Sequence, residues 1–292
     1  MASRWLVTGA GGMVGRDVVS QLTALGERVT AAGHADLDIG MQRDVDRVVD
    51  EVKPSIILNC AAFTRVDDAE VQEEEATRVN GEGVRYLAEG ANRHGSLLVH
   101  ISTDFVFNGE KSVPYEPDDA TAPLSAYGRS KLAGEVAAQT ADRYAIVRTA
   151  WLFGLHGWNF VEAIRKQLDA GRKVLRVVDD QRGRPTYTPH LAQALIQIAE
   201  AALNDDRHRG IFHYADEPEC TWFDLASSIV GGLHLQGALP EGVRVEPVSS
   251  AEFPRPAARP AYSVLSTRRY EEVTGRAPAS WEMGLREYLS NR

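Results

Sequence analysis

The sequence predicts an α/β protein in which parallel strands alternate with helices. Short aliphatic or β-branched runs alternate with longer stretches of helical periodicity, the order expected for strands joined by crossover helices. A glycine-rich turn lies between the first such strand and the first such helix. After Trp151 the alternation gives way to mixed short elements. We therefore expect a doubly wound parallel sheet with a smaller, mixed C-terminal lobe.

The predicted elements follow one another along the chain. Val14, Val18, Leu22 and Leu25 recur at helical spacing, and Gly26 after them is a typical residue at a helix end. Strands are predicted at residues 5–8, 29–32, 56–59, 97–101, 145–148 and 174–178. Helices are predicted at residues 14–25, 45–52, 160–169, 191–203 and 221–230, the last one capped by its first residue.

The composition is that of an ordinary globular protein and excludes several classes of function. The chain has 292 residues, of which 43% are hydrophobic and 25% charged. Its 32 basic and 41 acidic residues leave a net charge of −9, and no basic patch stands out, so we expect no nucleic-acid partner. No apolar run approaches the roughly 18 residues that span a bilayer, so we expect no membrane segment.

The cysteines and the N-terminal residues indicate the compartment. Cys60 and Cys220 are far apart and lack metal-binding spacing, so neither a disulfide framework nor a structural zinc site is expected. The first residues carry no secretory signal pattern. Both observations favour a reducing, cytoplasmic environment.

The glycine-rich turn reads Thr8-Gly9-Ala10-Gly11-Gly12-Met13-Val14-Gly15. Glycines at such a turn allow the backbone to approach a pyrophosphate and the helix to pack closely on the sheet, while free N–H groups of the helix face the anion. The spacing is GxxGxxG rather than the more usual GxGxxG, and a glycine turn without a ligand is the alternative. We expect a Rossmann-type NAD(P)-binding domain at residues 1–150. Residues 151–292 are expected to form mainly a substrate-binding lobe, with some segments returning to the first domain.

The residues after the second strand bear on the choice of cofactor. An acidic residue that binds the adenosine ribose is expected about 20 residues beyond the turn, but the sequence there reads Thr30-Ala31-Ala32-Gly33-His34. Because His34 can donate a hydrogen bond to a 2′-phosphate, NADPH is favoured, while the nearby Asp36 and Asp38 leave NADH as an alternative. Asp38 and Ile39 are further candidates for contact with the cofactor.

Tyr127 and Lys131 are four residues apart, so on a helix their side chains share one face. A neighbouring ammonium stabilises a phenolate and brings its pKa toward the working range of an acid–base catalyst. Upstream, a buried-strand pattern ends in Ser102-Thr103-Asp104, at the strand end where open α/β sheets bind ligands. Thr103 can therefore bond a carbonyl oxygen beside Tyr127. The alternatives are a surface helix pair and a threonine that bonds its own turn.

Taken together, the glycine turn, Asn59-Cys60-Ala61-Ala62, the strand-end motif and Tyr127-x-x-x-Lys131 resemble the extended short-chain dehydrogenase/reductase family. Within it, the chain is similar to dTDP-4-dehydrorhamnose reductases over nearly its whole length. The segments that carry this resemblance are residues 59–70, 102–109, 148–151, 180–186 and 259–263.

The resemblance implies hydride transfer from NAD(P)H to the C4 ketone of a dTDP-4-keto-6-deoxyhexose, which yields a dTDP-6-deoxyhexose. Tyr127 would protonate the developing alkoxide, Lys131 would tune the phenol and bind ribose, and Thr103 would orient the carbonyl. The implied cofactor-binding residues are Gly9, Gly12, Met13, Val14, Gly15, His34, Asp38, Ile39, Ala61, Ala62, Thr64, Tyr127 and Lys131. The implied substrate-binding residues are Val66, Thr103, Asp104, Phe105, Asn108, Trp151 and Gln181.

The chain departs from the family pattern at several positions. Phe105 and Asn108 stand where the family often has tyrosine and aspartate. Some bacterial members resemble dimers bridged by a metal on glutamates, whereas the corresponding residues here are Asp17 and His190. We therefore expect no obligatory metal, and either a monomer or a homodimer.

Four other functions stay open. A dehydratase would need an Asp-Glu pair after the strand-end threonine, but the chain has Asp104-Phe105, which favours simple reduction. A 4-epimerase and a 4-ketoreductase for another dTDP-deoxysugar of antibiotic biosynthesis share the same motifs. The regulatory subunit of methionine adenosyltransferase is similar to this family, so a non-catalytic, partner-binding role is the fourth.

Overall fold

A computed structural model describes residues 3–292. Its twelve described strands are β1 (Arg4–Thr8), β2 (Arg28–Ala32), β3 (Ile56–Asn59), β4 (Leu97–Thr103), β5 (Tyr144–Thr149), β6 (Leu152–Phe153), β7 (Val174–Val178), β8 (Arg182–Gly183), β9 (Thr186–Tyr187), β10 (Gly210–His213), β11 (Cys220–Thr221) and β12 (Arg244–Val248). The α-helices are α1 (Met13–Ala24), α2 (Gln42–Val52), α3 (Glu73–Thr77), α4 (Gly83–His94), α5 (Ala126–Ala138), α6 (Phe160–Asp169), α7 (Thr188–Asn204), α8 (Trp222–Leu235), α9 (Arg268–Thr274) and α10 (Trp281–Ser290).

Six strands form one parallel sheet in the order β2-β1-β3-β4-β5-β10. Residues of β1, β3, β4 and β5 alternate between two buried faces, so these strands are largely apolar, whereas the edge strand β2 is mostly exposed. Trp5, Val7 and Leu58 face a core shared with α1 and α7, whereas Leu6 and Ile57 face a core shared with α2, α4 and α5. The doubly wound α/β fold expected from the sequence is therefore confirmed.

The strand order reverses direction at β1, which has β2 on one side and β3 on the other. In open α/β sheets a ligand crevice forms at such a switch point, outside the carboxyl ends of the strands. The turn after β1, the loop after β3 and the 3₁₀ turn Asp104–Val106 after β4 all lie at that edge.

The smaller lobe is built from short strand pairs and helices. β7 pairs with β12, β8 with β11 and β6 with β9, and α6, α8 and α10 share a separate apolar core with them. α7 and β10 lie on the main sheet instead, although both follow residue 150.

Most predicted elements form close to their expected bounds. Residues 56–59, 160–169 and 174–178 match as predicted, and Gly26 adopts φ +76° just after α1. Thr221 caps α8 through a reciprocal capping box with Asp224, and the helix continues to Leu235 rather than residue 230. The sequence did not predict β10, α4 or the π-helical turn (Arg78–Glu82) that joins α3 to α4.

Across the part of the chain that the structure describes, residues 3–292, no helix combines the length and apolar character needed to cross a membrane. Cys60 is a partly buried and Cys220 a buried free thiol.

Candidate active site

The glycine turn and the loop after β3 form one cradle. Gly9 adopts φ +61°, and a Cβ on it would stand 2.6 Å from the amide nitrogen of Ala61, so no other residue fits without moving that loop. Gly12 begins α1 without a side-chain cap, and the first turn of the helix has no acidic residue. The N–H groups at this helix end are therefore available to an anion, and the cradle fits a dinucleotide pyrophosphate.

The other predicted cofactor residues lie around this cradle. Met13 is the first residue of α1, while the side chain of Val14 is buried in the sheet core and leaves only backbone for a ligand. Ala61 donates its N–H to Asn59 Oδ1 at 3.1 Å, which anchors the loop that carries Ala62 and the exposed Thr64.

The predicted adenosine side lies after β2. Ile39 is buried in the second core, so its side chain is not free to bind a ligand. Asp38 accepts a hydrogen bond from Gly40 N at 2.9 Å and pairs with Arg78 at 3.3 Å. Arg78 also makes a two-point contact with Glu75 at 2.7 and 2.8 Å. A guanidinium that the sequence did not single out therefore lies beside Asp38, and its second partner, Glu75, lies within electrostatic reach of His34.

The end of β4 supplies the first part of the predicted catalytic group. Thr103 Oγ1 donates to Asp104 Oδ1 at 3.0 Å and accepts from Phe105 N at 3.2 Å. Asp104 is 2% exposed, and its second oxygen, Oδ2, is buried without a well-formed hydrogen bond to residues 3–292. Burial raises the pKa of Asp104 to about 6, with Ser263 and Thr103 limiting the rise. An unpartnered buried carboxylate oxygen is a place where a ligand hydroxyl can bind.

Tyr127 stands in the first turn of α5, directly above this strand end. Ser125 caps the helix by accepting from Gly128 N at 3.1 Å. A Cβ on Gly128 would stand 2.3 Å from the carbonyl oxygen of Phe105, so glycine lets α5 approach the turn after β4. The rings of Tyr127 and Phe105 meet edge to face at 5.6 Å. Burial, together with the Asp104 carboxylate, raises the pKa of the Tyr127 phenol above its usual range, and the Thr103 hydroxyl opposes that rise.

Lys131 lies one turn further along α5 and is 3% exposed. Its Nζ donates to the Ile101 carbonyl oxygen at 2.7 Å and lies 3.5 Å from His100 Nε2. Burial lowers the pKa of Lys131 to about 8, and Glu135 and Cys60 limit the fall. The structure thus brings Thr103, Asp104 and Tyr127 together and places the Lys131 side chain against β4, the strand that ends in Thr103.

The predicted substrate residues divide into two groups. Asp104 and Phe105 border Tyr127, as described above. Trp151, with φ +49°, is partly buried and stacks on Trp222 at 3.6 Å. Gln181 donates to Ser250 Oγ at 2.9 Å, and both amide atoms of Asn108 already have partners within residues 108–115.

Val66 belongs to a loop that the C-terminal lobe holds in place. Arg259 donates to both carboxylate oxygens of Asp67 at 3.0 and 3.1 Å, and Ala257 N donates to Asp67 at 3.2 Å. These contacts link the loop after β3 to a proline-rich segment about 190 residues further along the chain.

Sequence reasoning missed two buried polar residues beside Lys131. His100 is 0% exposed and Asn59 is 1% exposed, and their side chains bond each other at 3.0 Å. The signal was present, because His100 interrupts the apolar run of β4 and Asn59 ends the apolar strand β3, so each buried polar side chain requires a partner inside the protein.

Within residues 3–292, no three His, Cys, Asp or Glu side chains are grouped so that they could hold a metal ion. The His190 ring bonds the buried Asp216 at 2.8 Å, and Asp17 lies 3.8 Å from His156.

A dinucleotide cradle at the switch point, with a threonine at the end of β4 and a tyrosine in the first turn of the helix packed beside it, defines a nicotinamide-dependent oxidoreductase of the short-chain dehydrogenase/reductase class. The family model described as RmlD substrate binding domain matches residues 3–292. The chain belongs to this family, that of the dTDP-4-dehydrorhamnose reductases, and is an NAD(P)H-dependent oxidoreductase.

Individual relatives are similar to this chain over nearly its whole length. A probable dTDP-4,6-dihydroxy-2-methyloxan-3-one 4-ketoreductase of Streptomyces antibioticus is 45% identical, covering 97% of this chain and 94% of the relative. The dTDP-4-dehydrorhamnose reductase of Aggregatibacter actinomycetemcomitans is 40% identical, covering 97% of each chain. The crystal structure of dTDP-4-dehydrorhamnose reductase from Bacillus anthracis in complex with NADP superposes with a TM-score of 0.91 at 34% identity, covering all of both chains.

Proposed function

We propose that this enzyme reduces the C4 ketone of a dTDP-4-keto-6-deoxyhexose, with dTDP-4-dehydro-L-rhamnose as the substrate and dTDP-L-rhamnose as the product. The observation that carries the proposal is the group at the end of β4: the Tyr127 phenol beside the Thr103 hydroxyl, next to the unpartnered oxygen of Asp104. Membership of the reductase family supports the nucleotide-sugar substrate.

Each residue of this group has a definite task in that reaction. The nicotinamide cofactor, when bound, supplies the hydride. Because the pKa of Tyr127 is raised by burial, its phenol stays protonated through the neutral range and can give its proton to the oxygen that was the ketone. Thr103 orients that oxygen, and Asp104 Oδ2 accepts a hydroxyl hydrogen of the sugar. Lys131 holds the ribose next to the nicotinamide.

The turn after β1 and the loop after β3 would hold the pyrophosphate, with Gly9, Gly12 and Gly15 in the cradle and Ala61, Ala62 and Thr64 along its side. NADPH is the proposed donor. Its support is His34, which follows β2 and can donate a hydrogen bond to a 2′-phosphate. The Asp36 carboxylate, which accepts from Gly33 N at 2.9 Å at the same strand end, leaves NADH as the alternative donor.

We assign sugar-nucleotide binding to Trp151 and Gln181 of the C-terminal lobe. Val66 contributes from the loop after β3, which Arg259 holds through Asp67. Asn108 acts through the turn it organises, because its amide is already bonded there. With this assignment we propose that the chain divides at about residue 150 into a cofactor-binding domain and a mainly substrate-binding lobe.

A second candidate is reduction of a different dTDP-4-keto sugar, as in the making of antibiotic sugars. One observation favours it: the 45% identical relative is a probable 4-ketoreductase of another dTDP-linked sugar. The same Tyr127 and Thr103 would serve both reactions, and the orientation of the sugar in the lobe would differ.

The test uses the purified enzyme with dTDP-4-keto-6-deoxyglucose, with and without a 3,5-epimerase, and follows the oxidation of NADPH and NADH. Oxidation only when the epimerase is present supports the L-rhamnose product. Oxidation without the epimerase supports the second candidate. No oxidation in either mixture, with cofactor bound, contradicts both and favours a non-catalytic, partner-binding role.

A further inference from the structure

A row of buried polar side chains crosses the main sheet just below its carboxyl edge. Thr8, Asn59 and His100 are register partners on β1, β3 and β4, and all three are at most 1% exposed. They point to the same face as Leu6, Ile57 and Leu98, the face covered by α5. Lys131 on α5 is the next polar group along this row.

The hydrogen bonds along the row determine the orientation of the Asn59 amide. Asn59 Oδ1 accepts from Thr8 Oγ1 at 2.6 Å and from the backbone N–H of Ala61 at 3.1 Å. A backbone N–H can only donate, so the atom of Asn59 that faces Ala61 must be the oxygen. Asn59 Nδ2, a donor, therefore faces His100 Nδ1 at 3.0 Å.

The amide orientation in turn determines the tautomer of His100. Because Nδ1 accepts from Asn59, the ring proton of neutral His100 is on Nε2. His100 is fully buried, and that burial, with Lys131 beside it, keeps the pKa of the imidazole well below its usual value, so the ring is neutral. The Nε2–H group points at Lys131 Nζ, 3.5 Å away.

An N–H donor is a poor neighbour for an ammonium and a good one for an amine, because only the amine has a lone pair to accept the hydrogen bond. We propose that His100, held by Asn59 as its Nε2–H tautomer, is a positioning residue that stabilises the amine form of Lys131. His100 therefore lowers the pH at which Lys131 loses its proton. This proposal concerns the same site as the proposed reductase function. It rests on that function only where it predicts an effect on the turnover rate.

The other groups that face Lys131 act in the opposite direction. Glu135, on the same helix, favours the ammonium, but its carboxylate is bonded to Arg148 of β5 and to Ser102 of β4. Cys60, after β3, adds a smaller effect of the same sign. The Ile101 carbonyl accepts from either form of the lysine. His100, on β4, opposes the charge of Lys131.

The first test is the tautomer itself. The chain has 8 histidines, and long-range ¹H–¹⁵N NMR of the full-length protein, with His100 assigned by a His100→Gln variant, distinguishes Nε2–H from Nδ1–H. We expect a neutral ring with the proton on Nε2. A ring protonated on Nδ1, or on both nitrogens, would overturn the proposal without reference to any enzyme activity.

The second test exchanges the donor for an acceptor. Asn59→Asp keeps the oxygen for Ala61 N but offers His100 a carboxylate, so the ring proton should move to Nδ1 and leave the Nε2 lone pair facing Lys131. The chain has five lysines, Lys53, Lys111, Lys131, Lys166 and Lys173, so ¹³Cε-labelled lysine gives a resolvable titration. We expect the Lys131 midpoint to rise by at least about one pH unit in Asn59→Asp. The rise should be smaller in Asn59→Asp/His100→Gln, which keeps the added carboxylate but lacks the imidazole, and an equal rise in the two variants would show that the charge alone is the cause.

The control is Asn92→Asp, the same chemical change at an exposed position on α4. It should leave the His100 tautomer and the Lys131 midpoint where they are. If Asn59→Asp leaves the tautomer unchanged, or if Asn92→Asp shifts Lys131 as much, His100 does not set the ionisation of Lys131. In the reductase assay, the pH at which kcat falls on the alkaline side should increase in Asn59→Asp together with the Lys131 midpoint. An inactive wild type would contradict the proposed function, but the two NMR experiments would still test the role of His100.

Discussion

Arg148 and Glu135 form a two-point ion pair inside the protein, with N–O distances of 2.8 and 2.7 Å and side chains that are only 3% and 1% exposed. Arg148 comes from β5 and Glu135 from the helix that carries Tyr127 and Lys131. Ser102 adds a third contact, donating to Glu135 at 2.5 Å. The pair therefore fixes the helix that carries Tyr127 and Lys131 to the sheet.

Removing one partner of this pair should destabilise the fold strongly. Arg148→Met leaves the Glu135 carboxylate buried without its cation, which typically costs about 3 to 5 kcal/mol. Urea denaturation followed by circular dichroism measures the loss. The matched control is Arg129→Met, which breaks a two-point pair with Glu73 whose side chains are 47% and 46% exposed. Breaking an exposed pair should cost no more than about 1 kcal/mol, and equal losses in the two variants would contradict the prediction.

Tyr127→Phe should remove turnover while leaving the fold intact. Loss of a positioned general acid typically lowers kcat by about 10²- to 10⁴-fold. The measurement is substrate-dependent NADPH oxidation, with cofactor binding followed separately by fluorescence. Tyr86→Phe, on α4 and stacked against Arg85, is the control and should keep wild-type activity. A Tyr127→Phe enzyme with near-normal kcat would exclude the phenol as the proton donor.

Asp104→Asn should stabilise the protein at neutral and alkaline pH. Burial raises the pKa of Asp104 to about 6 in the folded state from 3.8, so the folded state holds this proton more tightly than the unfolded one. The resulting stability is present below the unfolded value and is lost as the pH rises through about 6. The variant escapes that loss and should gain about 1 to 3 kcal/mol near pH 8, a gain that shrinks toward pH 4.

Denaturation curves of wild type and Asp104→Asn across that pH range measure the gain. Asp142→Asn, at an exposed position, is the control and should change stability by only a few tenths of a kcal/mol at every pH. A pH-independent difference between Asp104→Asn and wild type would show that the buried carboxylate is not the cause.

His34→Asp should turn the enzyme away from NADPH. A carboxylate after β2 repels a 2′-phosphate and can bond a ribose hydroxyl instead, so kcat/KM for NADPH should fall at least about tenfold relative to NADH. Steady-state kinetics with both cofactors measure the ratio. His208→Asp, in a distant turn before β10, carries the same charge change and should leave the ratio unaltered.

Arg259→Lys should loosen the loop that contains Val66. Lysine cannot reproduce the two parallel hydrogen bonds to Asp67, so the amides of residues 64–68 should exchange with deuterium faster. Arg255→Lys is the control, because Arg255 lies 3.8 Å from Asp67 and its side chain is 53% exposed. Equal protection of residues 64–68 in wild type and Arg259→Lys would show that the pair does not hold the loop.

Local patterns were sufficient for much of the fold and for the positions of the main motifs. The glycine turn and the Tyr127–Lys131 spacing depend on neighbours in sequence, so the sequence predicts them directly. The role of His100 depends on which face of β4 it occupies and on register with β3, and both follow only from the assembled sheet. For Asn108 the sequence predicts contact with the substrate, but in the structure its side-chain amide is hydrogen-bonded to Glu110 and Tyr115 within its own turn.

The short strand β10 has a consequence for how the polypeptide is synthesised. Until residues 210–213 have left the ribosome, β5 presents a row of unpaired backbone groups to any other extended chain. A fragment that stops near residue 150 would keep that row permanently exposed and would lack Arg259 for Asp67 as well. We therefore expect residues 1–150 to self-associate when produced alone, and to become monodisperse only when the later segment is supplied with them.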